Sequence, residues 1–305
     1  GACAAPSVVP PAVTRDDRRD PFEGGIGGTG IVGLLTGYGS LRINGLRVEL
    51  TSATRLQTPF GRTSAAALAE GQPLTIVAAR TADGAITARD VQVSWPLVGT
   101  LRDAGGRLSV NGVPIRAEPG LVGAEGPGAR VAVSGLWRRD GLVASRVQPA
   151  ESYPDLLAGV VERGPNWVRI GGVPIEAEGG ALFPPAGDYL TAIGRHDGAV
   201  FRAERVEGGR FRRLAGTLRQ LSVEGYLEPV RAAPGFRVAG LGHSFARDLS
   251  LAPLSRSRAL YFGPYSGLFD AWAGYALPEG IEARRAVLGP GFDGPLARRR
   301  VPLQG

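Results

Sequence analysis

The 305 residues contain no lysine and no methionine, one cysteine (Cys3) and two histidines. Each scarcity removes a class of chemistry. Without lysine there is no phosphate-gripping P-loop lysine. A single thiol cannot build an intramolecular disulfide framework or a multi-cysteine zinc site. Two histidines, His196 and His243, leave few ways to assemble a Ser-His-Asp triad or a multi-histidine metal centre. Both fall at reversals, Arg-His-Asp-Gly and Leu-Gly-His-Ser, where solvated loop residues are expected. No stretch approaches the roughly 18 apolar residues that crossing a bilayer requires.

Glycine and proline are plentiful, 47 and 24 residues, while hydrophobic residues still make up 43%. That mixture suits short strands joined by tight turns and enclosing modest cores. The formal net charge is +7 and every one of the 35 basic residues is arginine. Those arginines are spread along the chain among 28 acidic residues, so an ordinary charged surface is expected, and nucleic acid is not an expected partner. The carboxylate pairs Glu176/Glu178 and Asp16/Asp17 are poor general acid–base candidates: the first pair sits near a strand end and the second in a Pro-rich lead. Gly27-Gly28-Thr29-Gly30 precedes a strand, whereas a nucleotide loop follows one. No catalytic residue, metal ligand or cofactor is expected.

Small residues directly before Cys3 resemble the end of a bacterial lipobox, which makes Cys3 the expected lipid anchor of an exported, membrane-anchored lipoprotein facing the periplasm or cell surface. Residues 1–25 then read as a flexible tether, rich in proline and mixed charge.

Internal repetition sets the expected architecture. GIVGLLTGYGSLRINGLRV begins at residue 30, VGTLRDAGGRLSVNGVPI at 98 and LAGVVERGPNWVRIGGVPI at 157, with a shorter copy, LAGTLRQLSVEGYLEPV, from Leu214. Their turns are Asn44-Gly45, Asn111-Gly112, Gly171-Gly172 and Glu224-Gly225. Asn-Gly between alternating apolar residues signals a hairpin, because both residues tolerate positive φ. Second halves of the copies carry another hairpin, at Asp83-Gly84, Asp140-Gly141 and Asp197-Gly198. Between the halves of the first copy, Ser64 is positioned to cap a short Ala-rich helix that Gly71 would end. Three strands, a helix and two strands is the order of the OB-fold.

The expected fold is therefore all-β: tandem small five-stranded OB-like antiparallel barrels, with one short helix in the first module. Its boundaries are a first barrel at 26–96, a second at 97–153, a third at 154–211, a trimmed fourth module at 212–253, and a degenerate C-terminal module with a basic tail at 254–305.

The first copy resembles a bacterial family known as domain of unknown function 5666. The residues carrying the resemblance are Gly28 to Gly33, Thr36 to Ser40, Ile43-Asn44-Gly45 and Glu70-Gly71-Gln72; it covers residues 26–93 well and the later copies loosely. The resemblance implies exported or lipid-anchored proteins of repeated small β-modules and brings no chemistry.

A non-catalytic envelope scaffold with a protein partner is the expected role. The alternative is an OB-type binder of an acidic polymer, polysaccharide or single-stranded nucleic acid. Candidate contact residues are Tyr38, Arg80, Trp137 and Arg138 at the loops an OB-fold uses, and Tyr261, Tyr265 and Trp272 in the aromatic stretch 259–277. Packing is the competing reading for Trp95, Trp137, Trp167 and Trp272, each in or beside an expected strand.

Overall fold

The computed structural model describes residues 12–14, 28–37, 39–210, 218–230, 235–242, 254–271, 273–290 and 292. Cys3, Tyr38, His243, Trp272 and the basic run 298–300 lie outside the described residues. The described chain is β-structure throughout, with one α-helix, Ile281–Val287. No helix among the described residues is long and apolar enough to cross a membrane.

The second sheet shows how the repeats are used. Residues 97–149 supply the strands Leu97–Thr100, Arg102–Asp103, Leu108–Val110, Val113–Arg116, Arg130–Arg138 and Gly141–Pro149. Residues 155–208 supply the matching set, Asp155–Val160, Glu162–Gly164, Trp167–Ile170, Val173–Ala177, Tyr189–His196 and Phe201–Gly208. The two sets meet on their first strands, which pair antiparallel with Leu97 opposite Leu157 and Val98 opposite Leu156. Outward from that seam the strand order is the same in both directions. Period-2 alternation gives each of these seam residues a core. Leu97 and Leu157 face a core with Val131, Ile170 and Phe201, whereas Val98 and Leu156 face a core with Ile31, Ile76 and Val91 of the first copy.

The first copy repeats the same local devices. A β-bulge interrupts the last strand but one of each unit, at Val77/Ala78, Ser134/Gly135 and Ile193/Gly194. Two residues past the equivalent glycines Gly33, Gly99 and Gly159, Leu35, Leu101 and Val161 exchange backbone hydrogen bonds with Gly71 and Gln72, with Gly128 and Ala129, and with Gly187 and Asp188. The long first strand, Gly28–Gly37, pairs antiparallel with Pro73–Arg80 on one side. On the other it runs parallel to Leu218–Pro229, which belongs to the last third of the chain.

Several expectations need correction. The hydrogen bonds draw two twelve-stranded sheets that are not closed barrels, because neighbouring units pair strand to strand. The pairing is also not wholly antiparallel: Val113–Arg116 runs parallel to Gly141–Pro149, Val173–Ala177 to Phe201–Gly208, and Arg55–Thr58 to Ile86–Val93. The expected helix of the first module is one 3-10 turn, Ala65–Ala67, and Ser64 makes no side-chain cap to it.

Glu224-Gly225 is not a turn but the middle of the strand Leu218–Pro229, paired with Leu260 and Ala259. Apolar residues on both sides of it override the turn signal. The C-terminal region, expected as a degenerate β-module, carries the α-helix Ile281–Val287, where Glu282-Ala-Arg-Arg-Ala lacks glycine and β-branched residues.

Candidate binding cleft

Glycine in the first strands and asparagine in the turns form one device. Asn44 and Asn111 hold φ of 53° and 50°, as a two-residue hairpin turn demands, and both side chains turn inward. Asn111 Nδ2 donates to Val98 O (2.9 Å) and to Leu156 O (3.0 Å), tying the second unit to the third. Asn44 Nδ2 does the same work between Val32 O and Ser222 O, both at 3.1 Å. The amide fits because Gly33 and Gly99 lie beneath it, where a Cβ would collide with the Asn Oδ1.

The third unit has Gly171 in place of the asparagine, and Trp137 of the second unit takes over. Its Nε1 donates to Ala158 O at 2.9 Å, the position equivalent to Val98 O, and its ring lies against Gly159, Gly171 and Gly240. Trp137 is thus a seam residue, 9% exposed, rather than a contact surface. His196 is its counterpart in the third unit and sits over Gly112. Burial lowers the His196 pKa from its ordinary 6.5, against the raising pull of Asp197 and Asp155.

Arg138 makes a two-pronged pair with Asp140, both contacts 2.7 Å, and stands over the Tyr226 ring at 5.7 Å. That bond leads the causes that hold the Asp140 carboxyl down to about 2. Arg80 is exposed at its strand end and donates to Gly84 O at 3.2 Å. Tyr261 is fully buried, and burial raises its hydroxyl pKa, so the aromatic stretch there is core. Tyr265 is partly buried and bridges to Phe269. Trp167 is 40% exposed, with Arg169 at 4.7 Å over its ring.

A buried charge cluster escaped the sequence reading. Glu224 is enclosed in the sheet, where its carboxylate accepts from Leu34 N (3.3 Å) and pairs with Arg284 and with Arg258 (3.5 Å). Arg284 comes from the C-terminal helix. The cluster therefore fixes that helix to the first strand of the first unit. Removing one partner from such a set strands the others without compensation. Tyr226 donates its hydroxyl to Glu279 (2.5 Å), and burial is the main cause that pushes its pKa up to about 12.

A cleft of about 770 Å³ lies between the first and third units. The hairpin Arg55–Thr58/Gly61–Arg62 forms one lip, and residues 205–210 form the other. Arg205 crosses between them, donating to Pro59 O at 3.2 Å. The walls carry Arg55, Arg62, Arg205 and Arg210 against only Asp90 and Glu207, with Gln57, Thr58, Gln92, Ser94 and Thr191 between them. Arg55 is satisfied by Asp90 at 2.7 Å. Phe60 stacks on Tyr153 at 4.6 Å and leans on Trp95, which puts the two inter-unit links, at Trp95-Pro96 and Tyr153-Pro154, into one aromatic knot.

None of the cleft residues was singled out as a contact from the sequence. The one signal available was that Thr58-Pro-Phe-Gly-Arg62 has no counterpart in the later copies.

No metal-binding cluster of His, Cys, Asp or Glu occurs among the described residues. No curated protein and no solved structure matches the chain. The span from Thr29 to Gln92, which is the first unit from its opening strand to its closing one, matches the family model described as Domain of unknown function (DUF5666).

Proposed function

We propose that this chain is a non-catalytic scaffold of the bacterial cell envelope, anchored through a lipid on Cys3, whose OB-type units together present a surface to a protein partner. The observation that carries the reading is the fusion of the units. Strand pairing at Leu97/Leu157, the Asn111 amide and the Trp137 indole lock neighbours into one block, as a fixed platform requires.

OB-type units are supported by the strand order. Along residues 97–149 the ladder runs second, third, fifth, fourth and first strand, with third and fifth parallel. The first strand, interrupted at Leu101, stands at both ends of that run, and Val161 interrupts its counterpart in the third unit. In the first unit a parallel bridge, Glu49 to Thr87, joins third to fifth.

The test is chemical cross-linking in the native envelope, affinity capture of the full chain, and mass spectrometry of its N-terminal peptide. The expected result is an acylated Cys3 and one stoichiometric envelope protein, both lost from the membrane fraction in Cys3→Ser. An unmodified Cys3 on a chain captured alone overturns the reading. A second reading, a binder of acidic polymers, is favoured by the excess of arginine over carboxylate in the cleft.

A further inference from the structure

We propose that the cleft between the first and third units is a binding site for an acidic sugar unit of a glycan, a uronate or a sulfated residue. This takes up the second reading and is independent of whether Cys3 carries a lipid.

The charge balance points to an anion. Of the four arginines lining the cleft, Arg55 is held by Asp90, and Arg205 lies 4.0 Å from Glu207 while bridging to Pro59 O. Arg62 and Arg210 have no carboxylate partner among the described residues. Arg62 is exposed at the rim, and the Nε of Arg210 is buried without a hydrogen-bond acceptor among the described residues. A guanidinium presents a planar fork of donors that matches a carboxylate or sulfate. The remaining polar wall, Gln57, Thr58, Gln92, Ser94 and Thr191, offers both donors and acceptors for ring hydroxyls. The volume, about 770 Å³, falls in the range of small-ligand sites.

The aromatic residues argue against a nucleobase. Single-stranded nucleic acid needs open ring faces on which bases stack. Here Trp95 and Tyr189 are 5% and 7% exposed, Arg210 covers the Tyr189 ring at 4.2 Å, and Phe60 is already stacked on Tyr153. An acidic sugar requires donors and charge rather than an open face.

The experiment is calorimetric titration of the full chain with tetragalacturonate, a heparin tetrasaccharide, neutral maltotetraose and an eight-residue oligothymidylate. At least one acidic sugar should bind saturably, one per chain, and maltotetraose should not. Losing one charged fork predicts at least about a tenfold weaker affinity in Arg62→Glu and a similar loss in Arg210→Gln. Arg62→Glu should keep the parent's melting temperature because the side chain is exposed, and Arg47→Glu, on the surface outside the cleft, should bind as the parent does. Failure of both acidic sugars, equal binding of maltotetraose, or an equal loss in Arg47→Glu overturns the proposal. So does oligothymidylate binding that Arg62→Glu abolishes, which would assign the cleft to nucleic acid. None of these outcomes bears on the anchor or the protein partner.

Discussion

The second and third units share strand order, bulge position and turn placement, yet they satisfy the same seam carbonyl by different means. In the second unit the amide of its own Asn111 reaches Val98 O and continues to Leu156 O. In the third, Gly171 supplies no side chain, and the neighbour's Trp137 reaches Ala158 O instead. The lesson is that the backbone geometry of the repeat creates a demand for one buried donor, and the donor's origin is free. Where it comes from the neighbour, the two units cannot be separated without leaving a carbonyl unmet.

That contrast can be broken most severely at Trp137. Trp137→Ala should cost about 3–5 kcal/mol, the range for emptying a large buried aromatic site, read as a lower urea midpoint. Trp137→Phe keeps most of the packing and loses the donor, so about 1–3 kcal/mol is expected. A Phe variant as damaged as the Ala variant would mean that the hydrogen bond to Ala158, not the ring, carries the seam. Asn111→Ala orphans two carbonyls and forces positive φ on alanine, for about 2–3 kcal/mol in the same assay.

The histidine at the position equivalent to Trp137 gives the contrast a pH dependence. Burial holds the His196 pKa below 6.5, so as pH falls through 6.5 the unfolded chain takes up a proton that the folded chain refuses. Stability should therefore decline from pH 7.5 to 5.5, and His196→Gln should flatten part of that decline in paired thermal melts. An unchanged slope in the variant would place the titration elsewhere.

The smallest effect is expected at the matching Asp-Gly turns. Asp197 accepts from the backbone N–H of Ala199 (3.0 Å) and Val200 (2.8 Å), whereas Asp140 accepts side-chain bonds from the arginines Arg116 and Arg138. Asp197→Ala should thus lower the melting temperature more than Asp140→Ala, which removes only exposed ion pairs.

Much of this was legible before any coordinates. Asn44-Gly45, Asn111-Gly112 and the three Asp-Gly reversals sit where the repeats placed them, because positive φ leaves a local mark on the residues that adopt it. The resemblance to Domain of unknown function (DUF5666) was legible as well, and the family model matches residues 29–92. What the chain did not disclose was non-local. Glu224-Gly225 reads locally as a reversal, and only Arg258 and Arg284, 34 and 60 residues further on, make a buried carboxylate tolerable in a strand. The cleft was hidden similarly, since its two lips lie in the first and third units and only their meeting in space makes a cavity.

The parallel pairing of Gly28–Gly37 with Leu218–Pro229 has a consequence for how the chain matures. Nearly two hundred residues separate the partners, and the Asn44 amide that spans them reaches Ser222 O, 178 positions away. Loop closure over such a distance makes for high contact order and slow late assembly. Until the final third of the polypeptide arrives, one flank of the opening strand is an unprotected edge, open to mispairing with any other extended segment. Synthesis from the N-terminus therefore leaves the family-matching unit complete in sequence but bare along one side, and a chain truncated before residue 218 should self-associate where the full-length one does not.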